Sequence, residues 1–243
     1  MFKRYMRWLH TCWPAGTVEK LPDVREDGTT AVPGVRVVGD LTGIPLLKFS
    51  ADTGARAVHA ILEEPDFAKR RGVGGKDGDV LDIAIIGGGV AGISAAIEAE
   101  KSNLNYRVYE VAQIFSTVAN FPKQKPIYTY PTDMTPSGDL QFTAEVKEPL
   151  LEEMEAQRRK AGVEVIDRRI THLERKGEEL LVHYDGGHDR ALRVIVAIGR
   201  SGNFRKLGVP GEELDKVYNR LHDPRDFEGK NVLVVGGGDS ALE

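Results

Sequence analysis

The chain has 243 residues, with 33 Lys and Arg against 37 Asp and Glu and a formal net charge of -4. That length buries a sizeable core without disulfides, which excludes a disordered chain or a miniprotein, and the slight acidity excludes bulk electrostatic capture of nucleic acid. A single cysteine, Cys12, excludes an internal disulfide framework, a Cys-rich zinc site and a dithiol centre within these residues, while 27 glycines suit an α/β protein with many tight turns.

Phe2, Met6, Leu9 and Trp13 recur at helical spacing among Lys3, Arg4 and Arg7, a short basic amphipathic helix over residues 1–14 that packs on its own domain or touches an anionic surface. Val35 to Val38 reads as a strand stopped by Gly39 and Asp40. A helix opens near Pro45, with Leu46, Leu47, Phe49, Ala57, Ile61 and Leu62 as its expected buried stripe and Gly54 allowing close packing. Residues 68–79 combine charge and glycine without periodicity and read as a linker. Leu81 to Ile86 is a buried strand, Ile93 to Ser102 a helix, and Tyr106 to Tyr109 a second strand ending at Glu110, which makes one β-α-β unit. A proline-rich loop covers residues 115–142, where function often resides. Glu145 to Ala161 is a charged helix and Val163 to Ile166 a strand; Ile170 to Leu173, Leu180 to Tyr184 and Leu192 to Ala197 form an antiparallel meander. Residues 200–230 are mostly connection, and Asn231 to Val235 reads as a further buried strand.

The glycines between the first of these strands and its helix each have a physical task. Gly87 permits the tight turn, Gly89 lets backbone N–H groups approach a pyrophosphate, and Gly92 lets the helix press on the strand. The helix N-terminus adds about half a positive charge beneath the phosphates. Glu110, 18 residues after Gly92, is placed to accept hydrogen bonds from ribose hydroxyls. A second G-x-G-x-x-A run, Gly236, Gly238 and Ala241, follows the last strand, so two dinucleotide cofactors are expected, with the second site incomplete in these residues. His10, His59, His172, His183, His188 and His222 show no metal-ligand spacing and read mostly as surface groups, so no metal is expected.

These motifs resemble the thioredoxin-reductase-like FAD and NAD(P)-dependent oxidoreductases, over nearly all of residues 30–243. The resemblance rests on IIGGGVAG at 85–92, VIVAIGR at 194–200, GVPGEEL at 208–214, GGGDSA at 236–241 and PGVRVVGD at 33–40. The FPKQKPIYTYPT loop and the GGGDSALE run resemble the bacillithiol-disulfide-reductase-like branch, which places a cysteine where this chain has Ala91. The GD motif precedes the first glycine turn, whereas in the family it comes last, so the resemblance implies a circular permutation; a linker of 12 residues can span up to ~40 Å at ~3.3 Å per residue.

The resemblance implies a doubly wound, Rossmann-like FAD-binding domain with an antiparallel meander, followed by the opening strand of a second such domain. Its divisions are 1–14 (N-terminal segment), 15–67 (permuted FAD segment), 68–79 (linker), 80–225 (main FAD part) and 226–243 (start of the NAD(P) part). FAD is expected to contact Gly87, Gly89, Gly92, Glu110, Gly39, Asp40, Leu46, Ala197 and Gly199, and NADP or NAD to contact Gly236, Gly238 and Ala241. Asp40 would meet the ribityl chain, and the helix after Pro45 would aim its free N–H groups at the flavin O2 edge. The expected reaction passes a hydride from NAD(P)H to FAD and on to a small disulfide or a redox carrier protein. No protein acid or base is singled out as catalytic, and Cys12 is assigned a structural or incidental role. The alternatives are a ferredoxin or flavodoxin–NADP reductase-like electron transferase and a non-catalytic flavin-binding module. With no apolar run near 18 residues and no signal-peptide core, the expected location is the cytoplasm, with no membrane span and with a homodimer compatible.

Overall fold

A computed structural model of the chain describes residues 21–72, 79–200, 206–219, 221 and 223–236. Residues 1–14 with Cys12, the linker residues 73–78, and Gly238 and Ala241 lie outside the described residues. In chain order the elements are β1 (Val35–Val37), α1 (Leu47–Leu62), α2 (Pro65–Arg70), β2 (Val80–Ile86), α3 (Val90–Lys101), β3 (Tyr106–Glu110) and α4 (Ser116–Ala119). They continue as α5 (Lys147–Lys160), β4 (Ile166–Asp167), β5 (Ile170–Lys176), β6 (Glu179–Tyr184) and β7 (Gly187–Val196).

One mixed sheet organises these elements, in the order β4-β3-β2-β7-β6-β5, with β1 also on β7. β2 is almost wholly apolar and buried, as a central parallel strand covered on both faces must be. Strand β7 joins two architectures. One edge pairs parallel with β2 from Arg190 to Val196. The other pairs antiparallel with β6 from Gly187 to Ala191, then parallel with β1 from Val194 to Val196. The β6–β7 hairpin turns on Asp185-Gly186, a two-residue loop whose glycine has φ 90°. Side chains alternate across the sheet with the expected period of two. Ile83, Ile85, Val108 and Ile195 pack with Val58, Ile93, Ile97, Leu150 and Met154 of the helices, and Ala84, Tyr109 and Val194 pack with Leu180, Val182 and Ala191 of the meander. Each fully buried isoleucine contributes about 1.5–3 kcal/mol.

Several expectations are corrected by packing. The first helix opens at Leu47, and Leu46 is 37% exposed. Leu47, Phe49 and Leu62 are only partly buried, whereas Ala51, Ala55, Val58 and Ile61 are fully buried, as Ala57 nearly is. α1 is pressed so closely on α3 that small residues face the contact: a Cβ on Gly54 would lie 2.1 Å from Ala91 O. At residues 163–166 only Ile166 pairs as strand. The backbone of Val163 is taken by the end of α5, its N–H donating to Arg158 O and its carbonyl accepting from the Arg158 guanidinium. Residues 231–236 form no strand, and Val232 to Val235 are exposed, because no neighbouring strand among the described residues takes their backbone groups.

The proline-rich loop is tied to the helices by buried charged side chains. Lys48 Nζ donates to Pro131 O at 2.8 Å, Asp52 Oδ1 accepts from Ser137 N at 2.9 Å, and Glu98 Oε1 accepts from Asp139 N at 2.8 Å. Another tie holds β1: Arg36, 5% exposed, donates to Asp27 O and Glu64 Oε1, and Glu64 also binds Arg193 of β7.

Candidate functional site

The parallel register brings three strand ends to one edge of the sheet, since Val196 lies opposite both Ile86 and Val37. Crevices at the C-terminal ends of parallel strands are where α/β sheets bind ligands. Three segments leave these ends: the glycine turn after β2, Gly39-Asp40 after β1, and Ala197 to Gly199 after β7.

In the glycine turn the positions divide by what a side chain would meet. Gly87 has φ 114°, and a Cβ there would lie 2.3 Å from Ala197 O. At Gly92 a Cβ would lie 1.9 Å from Gly87 O, so α3 presses directly on the turn. Gly88, to which the motif assigns no task, sits under Glu110: a Cβ would come within 3.1 Å of the Glu110 Cβ. Gly89 differs from all three. Its φ is -76°, an ordinary value, and a Cβ would meet nothing within 4 Å. Neither backbone strain nor packing within the protein demands glycine there, so the space beside it is open.

Gly89 is also the N-cap of α3, and it supplies no side-chain cap; Leu46 leaves the N-terminus of α1 without one too. Two helices therefore begin in this region with first-turn N–H groups that no capping side chain satisfies, a standing demand for acceptors or anions. Glu110 stands at the end of β3, with Oε2 accepting from Gly88 N at 2.6 Å and Oε1 accepting from Val111 N and Ala112 N at 2.8 and 2.9 Å. A carboxylate has about four acceptor positions, so one remains for a hydroxyl donor.

The corner after β1 is held by α1. Thr53 Oγ1 accepts from Gly39 N at 3.0 Å, and Ser50 Oγ donates to Asp40 Oδ1 at 2.9 Å. Gly39, with φ 72°, would bring a Cβ within 3.0 Å of Ala91 Cβ, which puts this corner against the start of α3. Ala197 N donates to Ile86 O, and its side chain faces Gly92. Gly199 has φ 62°, and a Cβ there would meet nothing within 4 Å. Gly39, Asp40, Gly87, Gly89, Gly92, Glu110, Leu46, Ala197 and Gly199 are thus placed by the parallel strand ends and the two helix starts. Gly236 lies apart from them in chain order, at the end of the exposed 231–236 run. Ser50 and Thr53 had no sequence signal of their own, because their partners lie across a tertiary contact.

The sequence profile described as pyridine nucleotide-disulphide oxidoreductase matches residues 84–243. The chain belongs to that family. Among curated relatives, a ferredoxin–NADP reductase of Ignicoccus hospitalis is 29% identical over 164 residues, 67% of this chain and 50% of the relative. A thioredoxin reductase of Bacillus subtilis is 30% identical over 168 residues, 68% of this chain and 49% of the relative. The solved bacillithiol disulfide reductase Bdr of Bacillus cereus matches with TM-score 0.56 and 28% identity, over 67% of this chain and 53% of that one. The chain spans about half the length of these relatives.

Two further features complete the picture. His59, read as a surface group, has its Nε2 3.0 Å from Glu98 Oε2 and so helps hold the buried carboxylate that anchors the loop. His172, His183 and His188 line up across β5, β6 and β7, with ring centroids 4.2 and 5.3 Å apart. Among the described residues no group of three His, Cys, Asp or Glu is arranged to hold a metal ion, and no helix is long and apolar enough to cross a membrane.

Proposed function

We propose that residues 15–67 and 80–225 form one FAD-binding unit of an NAD(P)H oxidoreductase. Gly87, Gly89, Gly92 and the start of α3 take the pyrophosphate, and Glu110 takes a ribose hydroxyl with its remaining acceptor position. Gly39 and Asp40 take the ribityl chain, the first turn of α1 from Leu46 onward takes the pyrimidine edge of the flavin, and Ala197 and Gly199 line the same crevice. When bound, the flavin supplies the two-electron chemistry, and these residues bind it, orient it and set its electrostatics. The second motif, Gly236, Gly238 and Ala241, would hold NADPH or NADH, whose hydride would supply the two electrons that the flavin passes on to a small disulfide or a redox carrier protein.

The observation that carries this reading is Gly89, a glycine that neither its φ nor its packing requires and that starts α3 with no side-chain cap and open space beside it. Purified chain loaded with FAD should be yellow. Gly89→Trp and Asp40→Ala should each lower the bound flavin by about tenfold or more, roughly 1.4 kcal/mol; unchanged flavin content in both would overturn the assignment.

A second reading, a flavin-binding module without turnover of its own, is favoured by the exposure of Val232 to Val235. With that run exposed and unpaired, anaerobic NADPH should bleach the flavin of this chain only slowly. Rapid stoichiometric bleaching would show that these residues suffice for hydride transfer.

A further inference from the structure

The first turn of α1 carries a charge that the fold itself does not account for. Lys48 is 8% exposed, and its Nζ donates to two main-chain carbonyls, Pro131 O at 2.8 Å and Thr132 O at 3.4 Å. Among the described residues no carboxylate lies within salt-bridge distance of it. Asp40, the nearest acid before it in the chain, is bound by Ser50; Asp52, one turn later, takes Ser137 N and lies 3.6 Å from Arg56.

Three effects oppose this placement. Burial strips water from the ammonium, the first turn of a helix already carries positive partial charge, and two carbonyl dipoles supply no net negative charge. Side chains on a helix lean toward its N-terminus, so Lys48 adds its charge at the end of α1 that follows the Gly39-Asp40 corner, which Ser50 and Thr53 hold. A desolvated cation at the positive end of a helix becomes favourable when an anion comes to that end.

We infer that Lys48 is the counter-charge for the reduced flavin and sets its reduction potential. The inference rests on the FAD reading above. A hydride from the reduced pyridine nucleotide brings two electrons and one proton, so the nicotinamide is oxidised to its cation and the flavin gains one net negative charge. The first turn of α1 and Lys48 together favour that anion over the neutral oxidised ring, and the pull on electrons resides in this difference. The carbonyls of Pro131 and Thr132 hold the ammonium in place, which makes the proline-rich loop the second support of the charge.

The test is the flavin midpoint potential of the FAD-loaded chain, measured against a redox dye for wild type, Lys48→Met, Lys48→Gln and Lys48→Arg. Lys48→Met should weaken the preference for reduced over oxidised flavin by about tenfold, which lowers a two-electron potential by about 30 mV. Lys48→Arg, which keeps the charge, should stay close to wild type. Should Lys48→Met fail to retain flavin, Lys48→Gln, whose amide still offers a donor to the loop carbonyls, carries the measurement with the same expected fall. A purely structural loss weakens both oxidation states alike and leaves the potential in place, so an unshifted potential in the uncharged variants overturns the inference while the FAD reading stands. A wild-type chain that takes up no flavin overturns both.

Discussion

At Gly92 a Cβ would lie 1.9 Å from Gly87 O, while at Gly89 it would meet nothing within 4 Å, so the two glycines of one motif answer to different demands. Gly92→Ala should destabilise the fold by about 3 kcal/mol through overpacking. Gly89→Asp should do the reverse: aspartate is a preferred N-cap, and its charge suits a helix N-terminus, so the apo protein should gain a few tenths of a kcal/mol. The same carboxylate would stand where the pyrophosphate is proposed to bind, and flavin affinity should fall at least about 100-fold, or roughly 2.7 kcal/mol. Thermal melts paired with flavin titrations check both outcomes; a Gly89→Asp variant that keeps its flavin would remove the phosphate role of the turn. Glu153 offers a pH-dependent case. Burial pushes its carboxyl up, but donors outweigh that, with Thr143 N–H and OH and Ala144 N–H bringing it below the ordinary value of 4.5. A carboxylate lowered in the folded state adds stability that is complete above its unfolded value and is lost as pH falls through the folded one. The gap in melting temperature between wild type and Glu153→Gln should therefore be widest near neutral pH and close in acid below pH 4.5. A gap that persists unchanged in acid would show that the charge is not the cause.

For elements, the contact of α1 with α3 shows how a packing demand overrides propensity. Glycine inside a helix costs about 1 kcal/mol relative to alanine, and Gly54 sits in the middle of α1. It persists because a Cβ would lie 2.1 Å from Ala91 O, and because Ser94 Oγ donates to Ala51 O at 2.7 Å across the same contact. Gly54→Val should force the helices apart, cost about 3 kcal/mol, and displace the Gly39-Asp40 corner, which touches Ala91. Denaturant melts would register the first effect and flavin titration the second; a variant as stable as wild type would mean that the two helices are not in close contact. The meander shows the opposite balance. Its hairpins are local, and the Asp185-Gly186 turn sets the register of Tyr184 opposite Gly187 without help from the rest of the fold.

Across the whole molecule, residues 33–67 and 80–200 meet in one sheet and one core although a linker separates them in the chain. β1 pairs with β7, and Arg36 and Arg193 share Glu64. If these contacts and the α1–α3 interface hold the pieces together, cleavage within residues 73–78 should leave both fragments associated. A protease site inserted there should yield a nicked protein that elutes at its original size and keeps its flavin; separation of the fragments in native buffer would show that the linker is needed to hold β1 in the sheet. The interface is large enough for this expectation, since Val38, Ala51, Ala55, Val58, Ile61 and Phe67 of the first piece are almost fully buried.

The local patterns were legible from residue order alone: the β-α-β unit through Gly87, Gly89 and Gly92, the acid Glu110 at the end of its second strand, the antiparallel meander from Ile170 onward and the helix that follows Asp40. Each depends on neighbours within a few residues or on a period of two or 3.6, and such signals survive in a one-dimensional reading. Tertiary structure alone decided that Val35 to Val37 lies parallel to β7, that α1 buries alanines and leaves Leu46 exposed, and that Ser50 and Thr53 clamp the Gly39-Asp40 corner. It also decided that Val163 serves the end of α5 and forms no strand, and that the apolar run from Val232 to Val235 stays exposed. The reason is the same in each case. A residue's burial and hydrogen-bond partners depend on what arrives from distant parts of the chain, and an apolar run becomes a buried strand only where a neighbouring strand takes its N–H and C=O groups.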